Sequence, residues 1–272
     1  MPGPDDHVPD DLGLLRDAAL RAGDIARDYL ARGLRVQDKP GGQGPVTDAD
    51  LAIDAMLRDT LTAARPDYGW LSEETADTPE RLSRSRVFIV DPIDGTRAFI
   101  DGQQGFSHVL SVIEDGVPIA AVVHLPLPGL TYAATRGGSV TLNGAPVQVS
   151  PRQEVEGAQV LAAKPQLHPD LWPGGVPQVE RHFRPSLAWR LALVAEGRFD
   201  AMLTLRPTWH WDIAAGSLLV TEAGGLVSDA HGQTLRFNTL RPLADGIIAA
   251  GPGLHDGLVA RRRRTTQPPR LG

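Results

Sequence analysis

The chain has 272 residues, 42% of them apolar, and a formal charge of −6, which is enough apolar material for a substantial core in one large or two medium domains. It contains no cysteine, which excludes disulfides, thiolate nucleophiles and cysteine-ligated zinc and leaves carboxylates and histidines for any metal, hence a hard one. No apolar run approaches the ~20 residues that span a bilayer, and the stretch from Met1 to Asp6 lacks a basic region and a hydrophobic segment, so a soluble, cytoplasmic protein without a stable membrane anchor is expected.

In chain order, Leu14, Leu15, Ala18, Ala19, Ala22, Ile25, Ala26, Tyr29 and Leu30 recur at helical spacing, and Gly33 closes that helix. A second helix is predicted from about Asp48 to Ala64, opening on Thr47-Asp48-Ala49-Asp50. Val87 to Val90 reads as a short buried strand followed by a turn over Pro92 to Gly95. From Ser107 to Val149 the pattern is β-rich, with runs at Val109 to Ile113, Pro118 to His124, Thr131 to Ala134 and Val147 to Val149. Asp115-Gly116, Pro128-Gly129, Gly137-Gly138 and Asn143-Gly144 separate them as hairpin turns. Beyond Gly157, strand-like Val160 to Ala163 and Ala201 to Leu205 alternate with helix-like Leu187 to Ala195 and Ile213 to Ala223. An α+β domain over 1–150 and an α/β domain over 151–260 are expected, together a layered sandwich. Residues 261–272, beginning with four arginines, read as a solvated, disordered basic tail. Nucleic acid is not an expected partner.

The charge is unevenly placed. Between Thr47 and Asp101 twelve Asp/Glu stand against six Arg and no Lys, which accounts for the whole acidic excess. Concentrated carboxylates repel unless cations or hydrogen bonds neutralise them, so a cation site in this segment competes with an acidic solvated surface as the explanation.

Four motifs carry the chemistry, and each also has a purely structural reading. In Asp91-Pro92-Ile93-Asp94-Gly95-Thr96, Asp94-Gly95 reads as a turn with Asp94 capping a helix from Thr96. The same run places two carboxylates at a strand end beside the backbone amides of Gly95 and Thr96, a combination suited to cations and phosphate. Glu73-Glu74 follows apolar Trp70-Leu71; it reads as a solvated loop, or as a half-buried pair that needs a cation. Thr47 to Asp50 matches a capping box, and a buried Asp50 beside the Thr96 hydroxyl would also accept a proton relayed from an attacking water. Asp212, in Trp211-Asp212-Ile213-Ala214-Ala215-Gly216, reads as an N-cap, or as a ligand brought close by the small residues that follow.

Taken together and in this order, these segments resemble the inositol monophosphatase superfamily of lithium-sensitive, magnesium-dependent phosphatases over nearly the whole chain. Asp91 to Thr96 is similar to its D-P-[IL]-D-G-T signature and Trp211 to Gly216 to its W-D-x-A-[AG]-[GA] signature. Within it, Ser186-Leu187 through Leu193-Val194-Ala195-Glu196-Gly197 and Pro207-Thr208 before Trp211-Asp212 resemble the 3'(2'),5'-bisphosphate nucleotidase branch. There are departures: Trp189-Arg190 where the branch has a nearby lysine, His210 for glutamate, and Ala162-Ala163-Lys164-Pro165 in place of an S-R-S-H strand.

The resemblance implies an αβαβα sugar-phosphatase fold. It implies one Mg2+ on Glu73, Asp91 and the Ile93 carbonyl and a second on Asp91, Asp94 and Asp212, with a third if Glu73 also holds a loosely hydrated ion. Catalysis falls to Thr96, Asp50 and Glu73, and phosphate rests on Gly95 and Thr96. Lys164, Ser186, Arg190 and His210 are the candidate substrate contacts, each also readable as a surface charge, cap or filler. The expected reaction converts adenosine 3',5'-bisphosphate to AMP and phosphate, a step of sulfur assimilation; an inositol or broader sugar-phosphate phosphatase is the alternative. A non-catalytic phosphometabolite sensor would have lost ligands, and none of these is lost. A homodimer is the family's habit. Asp94→Asn is expected to abolish turnover while leaving metal-free stability unchanged or raised, by relief of like-charge repulsion.

Overall fold

The computed structural model describes residues 10–39, 41 and 44–263. Helix α1 (Asp11–Arg32) leads to the hairpin β1 (Val36–Asp38) and β2 (Pro45–Thr47), then α2 (Asp48–Ala64), β3 (Gly69–Ser72), β4 (Arg86–Asp94) and the short α3 (Thr96–Ile100). A meander follows: β5 (Ser107–Glu114), β6 (Val117–Leu125), β7 (Leu130–Thr135), β8 (Thr141–Leu142) and β9 (Ala145–Pro146). The second half runs β10 (Gln159–Leu161), β11 (Glu180–His182), α4 (Leu187–Ala195), β12 (Ala201–Thr204), β13 (Thr208–Trp209) and α5 (His210–Glu222). It ends with β14 (Leu226–Ser228), β15 (Leu243–Ala244), β16 (Ile247–Ala250) and α6 (Pro252–Arg262).

Local chemistry sets the helix ends. Asp10 caps α1 by accepting the Gly13 amide, and Gly33 ends it with φ 94°, a conformation open to glycine without strain. Thr47 and Asp50 form a reciprocal capping box on α2. The Asp115-Gly116 and Asn143-Gly144 turns have positive φ at both residues, as two-residue hairpins require.

Strands β3 to β9 form a seven-stranded sheet in chain order, with β3–β4 parallel and the rest antiparallel. A five-stranded sheet runs β11-β10-β12-β16-β14. Alternation along the strands distributes the core. Phe88, Val90, Leu110, Val112 and Val122 face α1 and α2, while Val87, Ile89, Val109, Ala121 and Val123 join α4, α5 and Leu161, Met202 and Ala249 of the second sheet. The other face of that sheet, including Val160, Leu203 and Ile248, packs on Leu254, Leu258 and Val259 of α6. The result is the expected five-layer αβαβα sandwich, and one continuous apolar cluster spans both sides of Ser150. Among the described residues no helix is long and apolar enough to cross a membrane.

Three expectations need correction. Val147 to Val149 is not a strand: its amides make isolated bonds to Val140 and Ala223 carbonyls as the chain crosses between the sheets. Asp212 is not an N-cap; Trp209 holds that position and α5 starts two residues before Asp212. The basic tail begins later than Arg261, because α6 runs through Arg262. There Arg261 pairs with Glu156, and the Arg262 guanidinium lies 5.8 Å from the Trp172 ring. Cationic side chains favour a helix C-terminus. The remainder of that tail, 264–272, lies outside the described residues.

Candidate metal centre and active site

The centre is built on an irregularity in β4. Asp91 pairs with Val109 and Asp94 with Ser107, so three steps on β4 oppose two on β5. This extra residue is a β-bulge. In a regular strand, residues three apart face opposite sides; with the bulge between them, Asp94 lies near enough to act electrostatically on Asp91 and Asp212, although its oxygens are not in the closest carboxylate group. His108, between the two paired β5 residues, is fully buried, and its Nδ1 lies 2.5 Å from the Pro92 carbonyl. A carbonyl only accepts, so His108 carries its proton on Nδ1. Burial holds its pKa down to about 3, so it serves as a neutral prop beneath the loop.

Around this loop, one carboxylate oxygen from each of Glu73, Asp91 and Asp212 lies within 4.8 Å of the other two. Asp91 is 1% exposed. Its Oδ1 accepts the Ile93 amide at 3.0 Å, while its buried Oδ2 has no hydrogen-bond partner. Burial first, then Glu73, Asp94 and Asp212, pushes the Asp91 pKa well above the usual carboxylate range. Asp212 is raised in the same way by burial, Asp94 and Glu73. Buried, mutually repelling carboxylates with an orphaned oxygen and no sulfur ligand fit a hard divalent cation.

Asp94 is more than a neighbour of this group. Its Oδ2 accepts the Ser186 hydroxyl at 2.6 Å and the Ala188 amide at 2.7 Å. It therefore sits on the N-terminus of α4, whose cap is Ser186; Gly95, not Asp94, precedes α3, with φ 97° and no side-chain cap. The expectation that Asp94 caps α3 is thus corrected. Burial still raises the Asp94 pKa, and these bonds counter it.

On the opposite flank, Asp50 Oδ2 accepts the Thr47 amide at 2.9 Å and hydroxyl at 2.5 Å. Asp50 Oδ1 lies 3.4 Å from Thr96 Oγ1, which also donates to the Ile93 carbonyl at 3.1 Å. Burial, only partly offset by the Thr47 bonds, brings the Asp50 pKa up to about 6. Sequence reasoning missed the cation that answers Glu73-Glu74: Lys39 Nζ lies 2.6 Å from Glu73 Oε1 and 2.7 Å from Glu74 Oε1. Burial alone would lower the Lys39 pKa, but the two glutamates reverse this and raise it. It also missed Asp54, one turn after Asp50. Asp54 accepts hydroxyls from Ser72 (2.5 Å) and Thr75 (2.6 Å) and so grips both ends of the glutamate loop.

A cleft of about 850 Å³ opens beside this centre, with Glu73, Gly95 and Thr96 at one end and Phe183, Arg190 and Arg206 also in its walls. Of the candidate substrate contacts, only Arg190 lines it. Lys164 is exposed outside the lining. The Ser186 hydroxyl is committed to Asp94, and His210 is buried edge-on against Phe237, 5.2 Å between ring centroids. Arg206, overlooked in the sequence, is exposed in the cleft. Its charge acts on both Arg190 and Asp212. Among the described residues no carboxylate lies within ion-pair distance of either arginine. Burial lowers the Arg190 pKa to about 10, which leaves it charged at neutral pH.

Comparison with known proteins identifies the family and the fold. The pattern of the inositol monophosphatase family matches residues 12–267. The 3'(2'),5'-bisphosphate nucleotidase CysQ of Aggregatibacter actinomycetemcomitans is 31% identical over 83% of this chain and 87% of its own length. The inositol-1-monophosphatase of Rhizobium meliloti is 34% identical over 88% and 91%. The solved Thermotoga maritima IMPase superposes with a TM-score of 0.79 at 27% identity, covering 93% of this chain and 97% of that one.

Proposed function

We propose, from the premise that this chain belongs to the inositol monophosphatase family of phosphatases, that its substrate is a nucleotide bisphosphate and its reaction the Mg2+-dependent conversion of adenosine 3',5'-bisphosphate to AMP and phosphate. The observation that carries the substrate class is the arginine pair. Arg190 and Arg206 share the cleft with Gly95 and Thr96, and among the described residues neither forms a salt bridge, although Asp94 and Asp212 act on Arg190 at longer range. Two guanidiniums in one cleft, neither in contact with a carboxylate, favour an anion beyond the phosphoryl group being cleaved. Inositol 1-phosphate has no such second anion, whereas the 5'-phosphate of a nucleotide bisphosphate supplies it.

In this reading Glu73, Asp91, Asp94, Asp212 and the Ile93 carbonyl would hold the metal. When bound, the ion supplies positive charge for the phosphoryl oxygens and lowers the pKa of the attacking water. The chain's own groups do the rest. The amides of Gly95 and Thr96, at the start of α3 and without intrahelical acceptors, receive the phosphate oxygens. Glu73 orients the water from one side. Thr96 Oγ1 takes its proton while passing its own to Asp50, whose pKa of about 6 suits a proton acceptor near neutrality.

The test compares adenosine 3',5'-bisphosphate with 3'-AMP in wild type and Arg206→Gln. Wild type should prefer the bisphosphate. The variant should lose about ten- to hundredfold in kcat/KM on the bisphosphate and little on 3'-AMP, as expected for a charged hydrogen bond to a phosphate. No wild-type preference for the bisphosphate, or equal losses on both, contradicts the assignment.

A further inference from the structure

The cleft lining includes an aromatic ring that neither the metal nor the phosphate uses. Phe183 follows the edge strand β11 and lines the cleft, and at 48% it is among the most exposed large apolar side chains described. Single exposed apolar residues are ordinary on protein surfaces. Here, however, the ring is held in place. The Arg190 guanidinium lies 4.4 Å from the Phe183 ring centroid. Arg190 is itself buried, 6% exposed. Its Nε donates to the Arg184 carbonyl at 2.6 Å and a terminal nitrogen to the Pro185 carbonyl at 3.3 Å. One buried guanidinium therefore holds the carbonyls of residues 184 and 185 and stacks on the ring of residue 183 just before them.

We propose that Phe183 is a stacking platform for the aromatic base of the substrate, with Arg190 fixing its orientation; this rests on the nucleotide reading given above. Every nucleobase offers a π-face, and stacking on an aromatic side chain tolerates base identity because it needs no hydrogen-bond match. A platform already fixed in position loses little entropy when the base lands. A polyol ring such as inositol has no π-face and gains nothing from it. Phe183 would then select the leaving group, while the arginines select its second phosphate.

The experiment measures KM and kcat for adenosine 3',5'-bisphosphate and for its abasic analogue, 1-O-methylribose 3,5-bisphosphate, in wild type, Phe183→Ala and Phe183→Trp. The alanine variant should raise KM for the nucleotide about ten- to hundredfold, with kcat and the abasic KM within about twofold, as the cost of losing one stacked base implies. Tryptophan should restore tight nucleotide binding. Equal changes on both substrates, or none on the nucleotide, overturn the platform. The bisphosphate reading is judged separately, by wild-type preference for the abasic bisphosphate over 1-O-methylribose 3-phosphate, in which no base takes part. That preference without an alanine effect discards Phe183 alone; absence of both discards the nucleotide reading with it.

Discussion

Asp91 is a carboxylate with one satisfied oxygen and one buried oxygen that has no partner, set among Glu73, Asp94 and Asp212. Without a cation this is a net cost to the fold, since like charges in a dry site disfavour ionisation. Replacing it with asparagine keeps an acceptor for the Ile93 amide and offers N–H groups to the neighbouring carboxylates. Asp91→Asn should therefore raise stability in chelator by about 1 kcal/mol, read as a shift in the urea midpoint, and abolish phosphate release in Mg2+. A fall in metal-free stability would show that Asp91 is not repelled by its neighbours. The sequence motif alone led to this expectation for Asp94, because nothing local shows which carboxylate a distant helix engages.

At the scale of elements, Asp94 ties the metal loop to α4 across 92 positions of sequence. Its charge lies at the helix N-terminus and accepts two hydrogen bonds, which offset part of the burial that raises its pKa, so Asp94→Asn should raise metal-free stability by less than Asp91→Asn does in the same urea assay. An increase as large as that of Asp91→Asn would mean that the cap contributes nothing. The contrast marks what was legible in the sequence. Local devices were readable: the Thr47–Asp50 box, the bounds of α2, and the Asp115-Gly116 and Asn143-Gly144 turns. Tertiary ones were not. Lys39 reaches Glu73 from a hairpin 34 positions away, and Arg206 gains meaning only when the fold sets it beside Arg190. Helix α6 did carry a local signal, Pro252 at its first position after Gly251, behind the short strand Ile247–Ala250. Neither element was predicted.

For the molecule as a whole, two sets of titrations act in opposite directions. Burial holds His108 near 3 and His124 and His210 near 4, below the ~6.5 of an unfolded imidazole. They remove stability as pH falls below about 6.5 and are neutral in both states above it. The carboxylates have raised pKa values, with Asp50 at about 6 and Glu74 at about 7. The folded state then binds more protons than the unfolded one, and stability is lost as pH rises through those values. In chelator, stability should decline from pH 6.5 to pH 8 by on the order of 1–2 kcal/mol, and saturating Mg2+ should flatten the decline by replacing the protons. A metal-free stability that rises over this interval would contradict the upward shift of these buried carboxylates.

The most direct test of the account is phosphate release by the purified chain from adenosine 3',5'-bisphosphate, with inositol 1-phosphate in parallel, in Mg2+ and then in excess chelator. The account predicts rapid release from the bisphosphate that stops on chelation and slower release from inositol 1-phosphate. Release that persists in chelator would contradict the metal centre. Rapid release from inositol 1-phosphate with none from the bisphosphate would contradict the substrate assignment.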